Sequence, residues 1–265
     1  MKTTSRAPQA PLGWRSLLFL PQFAFARAAR LPADGFILDL QDTLPLYAKD
    51  SARTSLVEAL RTNAFAERPV IIRINEADCS ALHESDLEAC VGLPGVTALM
   101  PTRITWPDEL DVLHQRVSAL EDARGLPRGH TRFLPLLETP SAVLNARRVA
   151  LAGGGRNLGV MLGHGGLFRF TDEPAPSGLT LRHHRNTVIA AARAAGIEAF
   201  DAPFPHLRDR LGLEVHASEG HLHGFNGKCC LHPDQVEIVN RCMGSQAYPL
   251  ARRNRHGSVQ PEPRH

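Results

Sequence analysis

Cysteine is scarce, and its spacing does not suit metal or redox chemistry. The five cysteines (Cys79, Cys90, Cys229, Cys230 and Cys242) form no CxxC pair. A chain of 265 residues, 43% of them hydrophobic, has enough apolar material for a large core without disulfide staples. Reduced thiols in a cytoplasm are therefore expected. Long apolar runs are missing too. None approaches the roughly 20 residues that a membrane helix needs, so no membrane association is expected. Met1–Gly13 carries prolines and two basic residues but no hydrophobic stretch, which speaks against a secretion signal. Charge of one sign is also lacking. The 30 basic and 27 acidic residues leave a net charge of +3, part of it from Arg252, Arg253 and Arg255 near the end. That balance excludes a nucleic-acid partner as the default reading. Neither a GxGxxG fingerprint nor a P-loop occurs, and no internal repeat is visible.

What is present is an alternation. Short apolar runs at Ser16–Pro21, Gly35–Leu40, Pro69–Asn75, Gly95–Pro101, the span 133–137, Leu158–Leu162, Glu198–Ala202 and Gly227–Leu231 read as strands. Helical spacing lies between them, at Phe23–Arg30, Ala48–Thr62, Ser85–Val91, from Pro107 onward, up to Ala152, at Arg182–Ala195, over 207–218 and over 235–243. Gly153–Gly155 and Gly196 end two of these helices, and Asp234 is placed to cap the last. About eight strand–helix units without a linker call for a parallel sheet covered by helices. At this length a TIM (β/α)8 barrel fits better than an open sheet. The expected organisation is a flexible lead-in over 1–14, one barrel domain over 15–247 and a flexible polar tail over 248–265.

Charged groups end several otherwise apolar strands: Asp39 and Asp42, Arg73, Glu138 and Asp201. Strand C-termini meet at one face of a barrel, so these groups are candidates for one pocket. Glu138 follows a strand apolar on both faces and precedes Thr139-Pro140-Ser141, a helix start. Either it is a site carboxylate or it caps its own helix through the helix dipole. Arg73 interrupts Val-Ile-Ile-Arg-Ile and must face a carboxylate, from a substrate or from Asp42 or Glu138 in a structural salt bridge. His216, His221 and His223 match no zinc spacing and read as a solvated helix and its exit. Cys229 and Cys230 read as buried thiols.

Seven segments, in order from about residue 15 to 243, resemble the HpcH/HpaI aldolase and citrate lyase β-subunit family. They are Arg15-Ser-Leu-Leu-Phe-Leu-Pro, Ile37-Leu-Asp-Leu-Gln-Asp, Ala48-Lys-Asp-Ser-Ala-Arg, Val70-Ile-Ile-Arg-Ile-Asn, Leu137-Glu-Thr, the run Ala191–Asp201 and the run Gly224–Val236. The resemblance implies a barrel, usually a homotrimer or hexamer, that makes or breaks a carbon–carbon bond in a β-hydroxyacyl thioester of malyl, citramalyl or citryl type. By the same resemblance Glu138 would hold Mg2+, Arg73 would polarise the keto acid carbonyl, Asp42 would lie in the substrate site, and Arg15 would sit near the phosphates of a CoA-type carrier. Positive charge placed in advance is what a developing enolate requires.

The chain also departs from the family pattern. Phe-Gly-Ala-Glu-Asp-Leu is replaced by Leu162-Gly-His-Gly-Gly-Leu, so the second metal carboxylate is Gly166 and the acid before it Gly165. Thr102 stands where a lysine is expected, Gln41 where an acid is, and Ser141 and Ala142 replace the arginine and glycine after Glu-Thr. One carboxylate with water makes a weak magnesium site. His164 is either a loop residue or an imidazole better suited to zinc. The segment after Met243 does not match the helix that relatives carry there, so a thioesterase activity that used it is not expected. Two functional readings follow: a carbon–carbon lyase, or a non-catalytic paralogue that keeps the barrel and its oligomer interface as a binding or assembly protein.

Overall fold

The computed structural model describes residues 11–167 and 178–244. The expected tail and residues 1–10 of the expected lead-in lie outside the described residues. Strands β1 (Ser16–Phe19), β2 (Gly35–Asp39), β3 (Val70–Arg73), β4 (Val96–Met100), β5 (Arg132–Phe133), β6 (Leu136–Leu137), β7 (Gly159–Leu162), β8 (Glu198–Asp201) and β9 (Gly227–Cys230) pair in parallel throughout. The sheet runs β5-β4-β3-β2-β1-β9-β8-β7-β6. Its two ends are halves of one strand, interrupted at Leu134-Pro135. On one side Leu134 N donates to Leu99 O and Leu136 N to Pro101 O. On the other, Leu158 N donates to Phe133 O, Met161 N to Pro135 O and Gly163 N to Leu137 O. The ring is closed, so the expected eight-stranded barrel is what the chain builds. Proline splits the strand because it has no N–H to give the ladder.

Helices α1 (Lys49–Arg61), α2 (Ser80–Cys90), α3 (Pro107–Ala123), α4 (Pro140–Leu144), α5 (Ala146–Leu151), α6 (Gly178–Ala195), α7 (Arg210–His223) and α8 (Pro233–Gly244) surround the ring, with a 3-10 segment at Gln22–Arg30. Their starts follow local chemistry. The Glu109 carboxylate accepts from the N–H groups of Thr105 and Trp106, Thr139 Oγ1 accepts from Ala142 N, and Asp209 accepts from Gly212 N. The helix expected to run through Ala152 is two helices, broken at Asn145, whose side chain donates to Ser141 O. The last helix opens at Pro233, so Asp234 lies inside its first turn and is not its cap.

Strand periodicity decides what faces inward. Leu17, Ile37, Ile71, Ala98, Met100, Leu134, Leu136, Met161, Phe200 and Cys229 share the barrel interior. Their neighbours Leu18, Leu38, Ile72, Leu99 and Cys230 pack outward under the helices. Asp39, Arg73 and Glu138 each lie two residues beyond an interior residue and so point into the mouth of the ring. Asp201 follows Phe200 directly and points outward. Residues 11–14, part of the expected lead-in, lie against the N-terminal end of the ring. Leu12 N donates to Glu198 Oε1 at 2.8 Å, and Trp14 stacks on Phe200 at 6.0 Å.

Asp201 therefore does not belong to the pocket expected from strand ends. Fully buried between β8, β9 and the helix layer, it accepts from Arg185 Nη2 at 2.8 Å and Lys228 Nζ at 2.9 Å. His216, expected on a solvated helix, is buried in the same cluster, its Nδ1 2.8 Å from Lys228 Nζ. An ammonium only donates, so Nδ1 must carry the lone pair. Burial works to raise the Asp201 carboxyl, but the charges of Lys228 and Arg185 hold it far below the usual range. Burial lowers His216, and Lys228 adds to that, so the ring stays neutral near neutrality.

Because the folded His216 resists a proton that the unfolded chain accepts, stability falls as pH drops below about 6.5, the unfolded histidine value. Denaturant unfolding between about pH 7.5 and about pH 5.5 is expected to show a loss of about 1.4 kcal/mol from this histidine alone. His216→Gln should be less stable at both pH values and should lack that increment of pH dependence.

Candidate functional site

The mouth of the ring opens into a cavity of about 700 Å³ lined by Phe19, Asp39, Asp42, Arg73, Arg103, Glu138, His164, Gly165 and Gly166, among others. Arg73 and Glu138, 65 positions apart in sequence, thus share one pocket at the C-terminal ends of the strands. Asp42 joins them. Arg15 does not.

Arg73 is held along one edge of its guanidinium. Its Nε donates to Asp39 Oδ1 at 2.7 Å and its Nη2 to Asp39 Oδ2 at 2.5 Å. The two residues are direct register partners on β2 and β3, so adjacency is built into the sheet. The closest structural partner is thus Asp39, while Asp42, one of the two partners the sequence suggested, makes a longer ion pair and Glu138, the other, makes none. No direct Arg73–Glu138 ion pair forms, and Asp42 Oδ2 stays 3.8 Å from Arg73 Nη1. The guanidinium also lies 4.9 Å from the centre of the Phe19 ring. Burial works to raise the Asp39 carboxyl, yet hydrogen bonds and charge from Arg73 keep it below the usual carboxylate value.

Glu138 does not cap α4, since Thr139 does that. Its Oε1 instead accepts from Arg103 N at 3.0 Å. Burial raises its pKa, an effect that this N–H and the charge of Arg73 only partly offset. A carboxyl group held towards its neutral form beside a fixed cation is suited to moving a proton. The glycines of the β7 loop allow its close approach. A Cβ on Gly163 would come within 2.7 Å of Glu138 Cβ, and one on Gly166 within 2.2 Å of Glu138 O.

His164, read from sequence as either a loop residue or a zinc ligand, is a buried wall of the cavity. Its ring meets His216 edge to face at 6.1 Å. Burial lowers its pKa to about 3, against the raising charge of Asp201. Thr102, in the expected lysine position, is buried and donates to Ile74 O, away from the cavity. No group of three or more histidine, cysteine or acidic residues suited to a metal occurs among the described residues.

Arg15 does not lie at the cavity mouth, contrary to what the resemblance implies. It precedes β1 at the opposite end of the ring, where its Nε and Nη2 each donate to Asp34 at 2.8 Å. A carrier phosphate at the cavity mouth is out of its reach. Two groups of residues were missed as site supports. Arg103 lies just past β4 in a left-handed conformation (φ 51°). Lys49 donates to Leu40 O, Gln41 O and Asn75 Oδ1, and Asp86 accepts from Asn75 and Arg53. This buried network ties the loops after β2 and β3 together behind the Asp39–Arg73 pair. Lys49, Arg53 and Asn75 all stood in segments that carried the resemblance, so the signal was there without its meaning.

Comparison with known proteins agrees with this architecture. The chain is 33% identical over 236 residues to the citrate lyase subunit beta of Leuconostoc mesenteroides subsp. cremoris, covering 86% of this chain and 76% of that one. It is 29% identical over 231 residues to a (3S)-malyl-CoA thioesterase of Cereibacter sphaeroides, with the same coverage of 86% and 76%. Among solved structures, the citrate lyase beta subunit of M. tuberculosis complexed with oxaloacetate and magnesium superposes with a TM-score of 0.69 at 25% identity, covering 87% of this chain and 96% of that one. A model of the HpcH/HpaI aldolase/citrate lyase family matches residues 15–233, and the chain belongs to that family.

Proposed function

We propose that the protein is a carbon–carbon lyase acting on a β-hydroxyacyl thioester of malyl, citramalyl or citryl type, with Arg73 and Glu138 as its catalytic pair. The observation that carries the reading is their convergence in one cavity, Arg73 fixed by Asp39 with Nη1 left towards the cavity and Glu138 held towards its neutral form. In the cleavage the substrate hydroxyl loses its proton, and the oxygen electron pair closes the keto acid carbonyl. The carbon–carbon bond breaks, and its electrons become the enolate of the thioester, which then takes up a proton. Arg73 orients the hydroxyl oxygen and stabilises the negative charge it carries between losing its proton and closing the keto acid carbonyl. Glu138, with Oε1 fixed by the Arg103 N–H, holds the water through which the proton leaves.

The magnesium expected on Glu138 has no part in these steps. Magnesium would supply Lewis acidity, but the second carboxylate position is Gly166, and no side chain fits there without moving the Glu138 carbonyl. Glu138 alone is a poor donor set for a hard ion. The assembly-protein reading is the weaker one, because Arg73 has not collapsed onto Glu138 and the relatives named above are enzymes or enzyme subunits. A homotrimer or hexamer in the cytoplasm rests on the resemblance alone. No helix among the described residues is long and apolar enough to cross a membrane.

A panel of malyl, citramalyl and citryl thioesters, assayed by keto acid release, tests the reading. Glu138→Gln should lower cleavage by about 100-fold or more. Arg73→Lys should do likewise, because a lysine cannot keep both contacts to Asp39. Hydrolysis of the thioester with no keto acid released would replace lyase by thioesterase. Gly166→Asp is expected to lower stability by about 1–3 kcal/mol in denaturant unfolding and to leave magnesium affinity unimproved.

A further inference from the structure

Arg73 and Arg103 come from different strand ends and converge on one carboxylate. Asp42 lies between them, Oδ2 3.8 Å from Arg73 Nη1 and Oδ1 3.5 Å from Arg103 Nη2. Both distances exceed the about 2.7–2.9 Å of a charge-assisted hydrogen bond. Asp42 is half-exposed, and so is Arg103, whose other acidic neighbour, Glu76, is also 3.5 Å from its Nε. The contrast with Arg73 on Asp39 is direct: there the fork is closed, and here two guanidinium edges face a loosely held occupant.

The backbone of Arg103 explains the placement. Its left-handed conformation, unusual for a residue with a side chain, lets the N–H hold Glu138 while the side chain reaches the cavity mouth. One residue thus links the proposed proton-moving carboxyl to a second cation. Thr102 beside it is turned into the wall and supplies no charge.

We propose that the carboxylate of an α-keto acid binds between Arg73 Nη1 and Arg103 Nη2, displacing Asp42, and that this subsite works without a divalent metal. Two cations from the chain then do the electrostatic work that one carboxylate and a glycine leave undone. Asp42, expected to help bind substrate, is its competitor. The inference rests on the lyase reading only for the class of ligand.

The test is isothermal titration of the full chain with pyruvate and with oxaloacetate, in EDTA and again in magnesium chloride. Affinities should agree within about twofold between the two buffers, and Arg103→Gln should weaken binding roughly tenfold in both. Asp42→Asn, which keeps the shape and removes the competing charge, should tighten binding about threefold, an effect that shrinks with added salt. Both positions are half-exposed, so both variants should fold. Binding that appears only with magnesium and disappears in Glu138→Gln would overturn the subsite and leave the lyase reading standing. Unchanged affinity in Arg103→Gln, or no binding in either buffer, overturns it as well. The lyase reading itself is judged separately, by keto acid release from the thioester panel.

Discussion

The pair formed by Asp39 and Arg73 sets the geometry of the mouth. A guanidinium one layer above the apolar interior would be costly to hold in place if it could swing between partners. Because its partner is the residue directly across the β2–β3 ladder, two parallel hydrogen bonds fix the plane of the group, and the sheet fixes the pair. Behind it, Lys49, Asn75, Asp86 and Arg53 tie down the two loops that follow. One edge of Arg73 is then left for a ligand, at a position set by the barrel and not by a mobile loop.

Strand parity explains how much of this was readable in advance. The barrel followed from eight alternations, and the elements lie where the apolar runs put them, because each strand must bury both faces. The site was half readable. Arg73, Asp42 and Glu138 could be gathered at one mouth because strand ends converge there. Asp201 looked equivalent, yet it lies one residue, not two, beyond an interior position and so faces the helices. That distinction needs the inward set to be known for each strand. The Asp39 pairing needs the register of two strands as well, which one sequence does not state.

Other residues were hidden for different reasons. Arg103 carries no motif, and its reach depends on a backbone conformation that the sequence does not announce. Arg15 lay inside a matching segment but at the wrong end of its strand, so resemblance assigned a role that distance denies. His216 sat in a histidine-rich helix that looked solvated, because the groups that bury it, Arg185 and Lys228, come from remote elements.

The interruption at Pro135 bears on Glu138. The strand lacks one amide donor there, yet backbone hydrogen bonds to both neighbours continue on either side of the proline, and Glu138 is mounted three residues further along. Arg73 likewise stands on a strand with one irregularity, the register shift between Val70 and Ile71 where β3 meets β4. Acid and cation are thus each carried by a strand that departs once from regular pairing, so their spacing is set by two local irregularities and not by the even pitch of the sheet.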